Sequence, residues 1–170
     1  MGKLIDVLKK IRAGLVGFHA NEVMTGTHEF EPGCGPAGRR FMQFRVKWGT
    51  SKLADWLRKD SGRFLTNDLE GTVTIDGLCT DAPCKGDLEL RYFDLHKIRY
   101  LFTFEVGGVA YRYVGEKVNI MPWNLPFSHT TCFGRLTEVA TGKLVSTSVT
   151  FFRFATVPRF VGSLRFALAS

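Results

Sequence analysis

The sequence lacks every segment that would mark a membrane-spanning chain by helix. No apolar run approaches the roughly 18 residues that a spanning helix needs. The opening "MGKLIDVLKKIRAGLVGF" does not read as an export signal, because Asp6, Lys9, Lys10 and Arg12 interrupt its apolar residues. Cysteine is scarce, with four in 170 residues. Cys34, Cys79, Cys84 and Cys132 have no CxxC spacing and no accompanying His pair, which argues against zinc. A cytoplasmic chain with reduced thiols is expected, with Cys79 and Cys84 able to approach each other across a turn at "TDAP". There is no nucleophile elbow, HExxH, P-loop or GxGxxG, so hydrolase and nucleotide chemistry have no motif to stand on and no cofactor or metal is expected. Repeats, low-complexity tracts and linkers are also missing, which leaves one domain over residues 1–170.

What is present is aromatic and glycine-rich. The chain has 15 Phe and 18 Gly, and its formal charge is +7. A basic balance invites anionic partners. Here the basic residues are scattered in runs of no more than two, which describes a solvated surface better than a specific nucleic-acid site.

Hydrophobic spacing changes once along the chain. Leu4, Ile5, Val7, Leu8, Ile11, Leu15 and Phe18 recur at helical spacing and predict an N-terminal helix over 3–18. Beyond it the period falls to two. Eight strands are expected near 22–30, 40–48, 68–76, 86–94, 97–106, 109–121, 128–138 and 143–154. Gly107-Gly108 marks a two-residue hairpin turn, and residues 49–64 read as a short helix capped by Ser51. The tail 155–170 is expected as a final helix or an extended segment.

Eight strands joined by short loops form a meander, and closing it removes the exposed edges. The fold class expected is a mainly β, antiparallel up-and-down barrel of lipocalin-like form. A barrel of this size is filled by its own side chains or holds one small ligand. The stretch from Tyr111 to Thr131 carries the ambiguity. Tyr111, Tyr113 and Lys117 share one face of its first strand, and Arg112, Val114 and Glu116 share the other. Whichever face points inward takes a charged group with it, which suits a cavity better than a packed core. Met121, Trp123, Leu125 and Phe127 follow on a proline-bracketed loop fit to cover a barrel mouth.

Four short motifs bear on identity. They are "HANEVMTGTHEF" with Glu22, Met24 and Gly26, "EGTVTI" with Gly71, Thr72 and Val73, "YRYVGEK" with Gly115 and Lys117, and "HTT" at His129–Thr131. Their order over residues 20–154 resembles the β-rich accessory domain of cholesterol-oxidase-type GMC flavoproteins and related standalone bacterial proteins. His129 stands where that pattern has Asp. The resemblance implies a lipocalin-like barrel and an association with sterol or other lipid chemistry, without flavin binding in this chain.

Three functions are compatible with these residues. The first is binding of a hydrophobic small molecule, such as a sterol or fatty acid, through Lys117, Tyr111, Arg112, Trp123, Met121, Phe127, Thr131, Phe102 and Phe104. The second is cofactor-independent isomerisation or cyclisation of a lipophilic substrate, with His129, Glu116 and Tyr113 as the acid–base candidates. The third is an accessory module for a partner oxidoreductase. Peripheral contact with an anionic membrane is a further use for the N-terminal segment and basic tail, beside the plainer one of covering a barrel end. His19, His28 and His96 are expected at the surface or in caps.

Overall fold

The computed structural model describes residues 5–6, 9–10, 16–92, 94–118, 131–152 and 165–168. Nine strands and one short helix have both ends defined among them. They are β1 (Val16–Phe30), β2 (Arg40–Thr50), α1 (Leu53–Leu57), β3 (Thr66–Ile75), β4 (Cys79–Arg91), β5 (Lys97–Val106), β6 (Val109–Lys117), β7 (Thr131–Glu138), β8 (Leu144–Phe152) and β9 (Arg165–Leu168). Each of β1 to β7 pairs antiparallel with the next, and β8 returns to β1, so eight strands close into a barrel. The 15-residue β1 makes the closure possible: its second half, Met24–Phe30, pairs with β8, while Val16–His19 at its start pairs with β9.

Three expectations need correction here. The N-terminal helix is not supported as drawn. Residues 16–18 open β1, Ile5, Asp6, Lys9 and Lys10 are helical and exposed, and the rest of residues 1–15 lie outside the described residues. The apolar Val16-Gly17-Phe18 fits either period, and pairing with Thr50 and Leu168, far away in sequence, decides for strand. Second, "TDAP" is not a turn. β4 begins at Cys79, and the turn is Asp76–Leu78 with Gly77 at φ +88°. A register shift between Val73 and Ile75 absorbs the irregularity, and Thr74 Oγ1 accepts the Asp81 N–H at 3.0 Å where the ladder is broken. Cys79 and Cys84 therefore sit on one strand, and all four thiols are free. Third, Ser51 does not cap α1. Lys52 precedes the helix without a side-chain cap, and α1 buries none of its residues fully. Other expectations hold: β5 runs over 97–106 as read, and Gly107 and Gly108 both adopt positive φ in the two-residue turn to β6.

Strict alternation sends one set of side chains inward. Met24, Met42, Phe44, Val73, Ile75, Cys84, Leu88, Tyr100, Phe102 and Tyr113 are all buried to within about 2% of complete. Phe44 lies at the waist, 5.4 Å from the Tyr100 ring, 5.5 Å from Phe102 and 5.7 Å from Tyr113. Phe102 and Tyr113 stack at 4.8 Å. These rings supply much of the apolar burial that stabilises the domain, each worth about 1.5–3 kcal/mol.

The two ends of the barrel differ. The turns at Asp76–Leu78, Gly107-Gly108 and Val139–Lys143 all lie at one end, the far end, together with the loop 31–39. At the opposite, near end are α1 and its flanks, the passage from β4 to β5, the end of β6, the start of β7 and the end of β8. Among the described residues no helix is long and apolar enough to cross a membrane.

Candidate functional site

Toward the near end the inward positions include two charged residues. Glu22 of β1 and Lys117, the last residue of β6, both face the interior, and their side chains are 6% and 4% exposed. Lys117 Nζ donates to Glu22 Oε1 at 2.9 Å. Tyr100 Oη donates to the same oxygen at 2.9 Å, reaching across from β5. Trp48 Nε1 on β2 donates to Oε2 at 3.0 Å. Four strands thus send one polar group each to a single point inside the barrel.

Each partner has a physical consequence. The carboxylate takes three donors, close to the roughly four it can accept. The ammonium sits 5.1 Å from the Tyr100 ring centroid and 5.8 Å from that of Phe152, within cation–π range. Burial pushes the Tyr100 hydroxyl well above its usual range, and the Glu22 charge adds to the rise. Tyr92 is raised to about 12 by burial and then by Glu22, so this phenol too lies in the field of the carboxylate. Burial raises the Cys132 thiol to about 12; Lys117 works against the rise and Glu22 with it. All three groups are therefore neutral at ordinary pH.

Only part of the expected set converges here. Lys117 is the inward charge that the Tyr111–Lys117 alternation leaves undecided, and Tyr111, Tyr113, Phe102 and Phe104 share its interior. Tyr113 is fully buried, and its hydroxyl lies 3.1 Å from Ser148 Oγ. Tyr111 stacks on Phe104 at 5.6 Å toward the far end. Glu116 is on the outer wall instead, accepting from Lys97 at 3.0 Å and Arg99 at 3.1 Å. Arg112 is exposed there, and Thr131 is half-buried on the same wall. His129, Met121, Trp123 and Phe127 lie outside the described residues. Sequence reasoning did not pick out Glu22, Tyr100 or Trp48 as site residues. Besides its place in the motif "HANEVMTGTHEF", the signal for Glu22 is its position between Ala20 and Met24, an acid in line with two apolar inward residues.

A second polar group at the near end is incomplete. Asn67 is fully buried; its Nδ2 donates to the Leu88 carbonyl at 3.3 Å, while its Oδ1 has no partner among the described residues. A solvent-open groove of about 810 Å³ also runs along the outer wall, over Val114, Phe133, Arg135, Val149 and Phe151. Its charged groups remain hydrated, so it lacks the desolvation that gives the interior cluster its chemical weight.

His28 is also not where the sequence suggests. It is buried at the far end, its Nε2 3.0 Å from the Asp76 carbonyl and its Nδ1 2.9 Å from Ser146 Oγ. Burial lowers its pKa below 6.5, and the nearby Arg40 charge works the same way, while Asp76 opposes them through its carbonyl and its charge. The folded state thus binds fewer protons here than the unfolded state, and stability rises with pH. The contribution is complete above about pH 6.5 and is lost as pH falls below it. Urea midpoints should therefore fall between pH 7 and pH 5.5, and His28→Gln should flatten that difference. An equal pH slope in the variant would assign the effect elsewhere.

No family model, curated protein or solved structure matches this chain.

Proposed function

We propose that this barrel binds one hydrophobic small molecule, of acyl-chain or sterol size, at its near end, with the Glu22–Lys117 cluster meeting the polar end of that ligand. The observation that carries this reading is the buried ion pair itself. A buried pair is a poor stabilising device, because desolvation offsets its attraction and an apolar pair of similar volume commonly serves as well or better. A charge kept inside an oily barrel is better explained by a task than by packing.

The distribution of burial supports the same end of the barrel. Waist residues are sealed, whereas Trp48, Leu90, Tyr92 and Phe152, packed against the core near the ion pair, are only half-buried. Aromatic walls bind an apolar guest through buried area, at roughly 25 cal/mol per Å². The sterol and lipid chemistry implied by the motif resemblance agrees in kind, and Glu22 and Lys117 belong to two separate motifs of that resemblance.

The test is direct. Solvent extraction of the purified protein followed by mass spectrometry should release a lipophilic compound. Alternatively, the delipidated protein should take up sterols or fatty-acid derivatives with a saturable change in tryptophan emission that Trp48→Phe diminishes. Neither carried lipid nor uptake would remove the reading. A ligand recovered unchanged after incubation fits a binder; a change of mass or isomer would turn the same site into a catalytic one.

A further inference from the structure

Resting on that reading, we infer that the polar end of the ligand is an uncharged carbonyl, as in an ester or ketone, and not a carboxylate. The argument is a count of donors and acceptors at the ion pair. Glu22 already accepts from Lys117, Tyr100 and Trp48, which leaves little room for a ligand that donates. Lys117 is in the opposite condition. Its ammonium has three N–H groups, and Glu22 is its one hydrogen-bond acceptor among the described residues. The Tyr100 and Phe152 rings beside it offer faces but no lone pair for a full hydrogen bond. Two donors on a buried cation therefore ask for an oxygen.

Charge selects which oxygen. The pair is neutral as a unit. A ligand carboxylate would place a second anion beside Glu22 where little water screens it, or would draw Lys117 away and leave the Glu22 charge to two neutral donors. A carbonyl oxygen accepts from Lys117 and brings neither a net charge nor a donor that needs a partner. Tyr100 and Tyr92 both stay protonated, so neither adds a further charge to the site.

The experiment uses three probes of one chain length with the whole delipidated protein: methyl myristate, myristate and tetradecane. Affinities are read by displacement of a fluorescent apolar reporter at neutral pH. The ester should bind about tenfold tighter than the alkane, the worth of a hydrogen bond to a charged donor. Myristate should bind more weakly than the ester and should gain as pH falls. Glu22→Gln combined with Lys117→Met avoids a buried unpaired charge, and it should bind ester and alkane alike. Tightest binding of myristate, or equal binding of ester and alkane to the wild-type chain, would overturn the inference and leave the binding reading standing. No binding of any probe or of the reporter would remove both.

Discussion

Replacing Glu22 by Leu should cost about 3–5 kcal/mol of stability, the largest single effect expected in this molecule. The loss comes from the partner left behind. Lys117 is 4% exposed on its side chain and would keep a charge with neither counter-ion nor water, while Tyr100 and Trp48 would lose their shared acceptor. Against a typical domain stability of about 5–15 kcal/mol, such a loss leaves the variant marginal. The pair variant Glu22→Leu with Lys117→Met should recover most of it, because both charges leave the interior together. Urea unfolding of the wild type, both single variants and the double variant forms a cycle, and a coupling of about 2 kcal/mol or more is expected. A single Glu22→Leu that costs less than about 1 kcal/mol would mean that Lys117 is hydrated, and the closed, dry site would not exist. The cycle also separates structure from function: a double variant that folds well yet no longer distinguishes ester from alkane would show that the charges serve the ligand.

That cycle also shows what the sequence could and could not disclose. The alternation in "KIRYLFTFEV" is unmixed, so β5 and its inward face were legible, and Phe102 and Phe104 emerge inside as expected. Most other strands were legible for the same reason, along with the glycine turn between β5 and β6. In β6 the charges are adjacent, Glu116 and Lys117, so either face could be inward on local grounds. The deciding group is Glu22, 95 positions away in sequence, whose partner is fixed only when the sheet closes. Glu116 meets Lys97 and Arg99 on the outer wall, a pairing that follows once the register sets Glu116 beside Arg99. The start of β1 fails for a related reason: three residues that suit either period are claimed by pairing with distant strands. Local pattern carries the walls, and long-range closure carries the site.

Closure of the waist depends on glycines that leave room for a ring, and Gly134→Ala should cost about 3 kcal/mol through overpacking and a lost hydrogen bond. A Cβ at Gly134 would stand 2.1 Å from the Tyr113 hydroxyl oxygen, 2.4 Å from its ring carbon Cζ and 2.4 Å from Ser148 Oγ. Tyr113 cannot swing aside freely, since it stacks on Phe102 at 4.8 Å and touches Phe44 at 5.7 Å. Gly115 lies under the same ring, where a Cβ would come within 2.8 Å of Tyr113 Cε1 and of Cys132 Sγ. The two glycines on neighbouring strands, paired across β6 and β7, form the bed on which Tyr113 lies. Tyr113→Leu should itself cost several kcal/mol by opening a cavity. In the Gly134→Ala background it should cost much less, because the new methyl then fills part of the space. The check is thermal and urea unfolding of the two single variants and the pair. Strictly additive losses would show that Gly134 acts through backbone freedom alone. A pair that loses clearly less than the sum of the two single losses would show that the ring and the glycine form one packing unit at the waist below the ion pair.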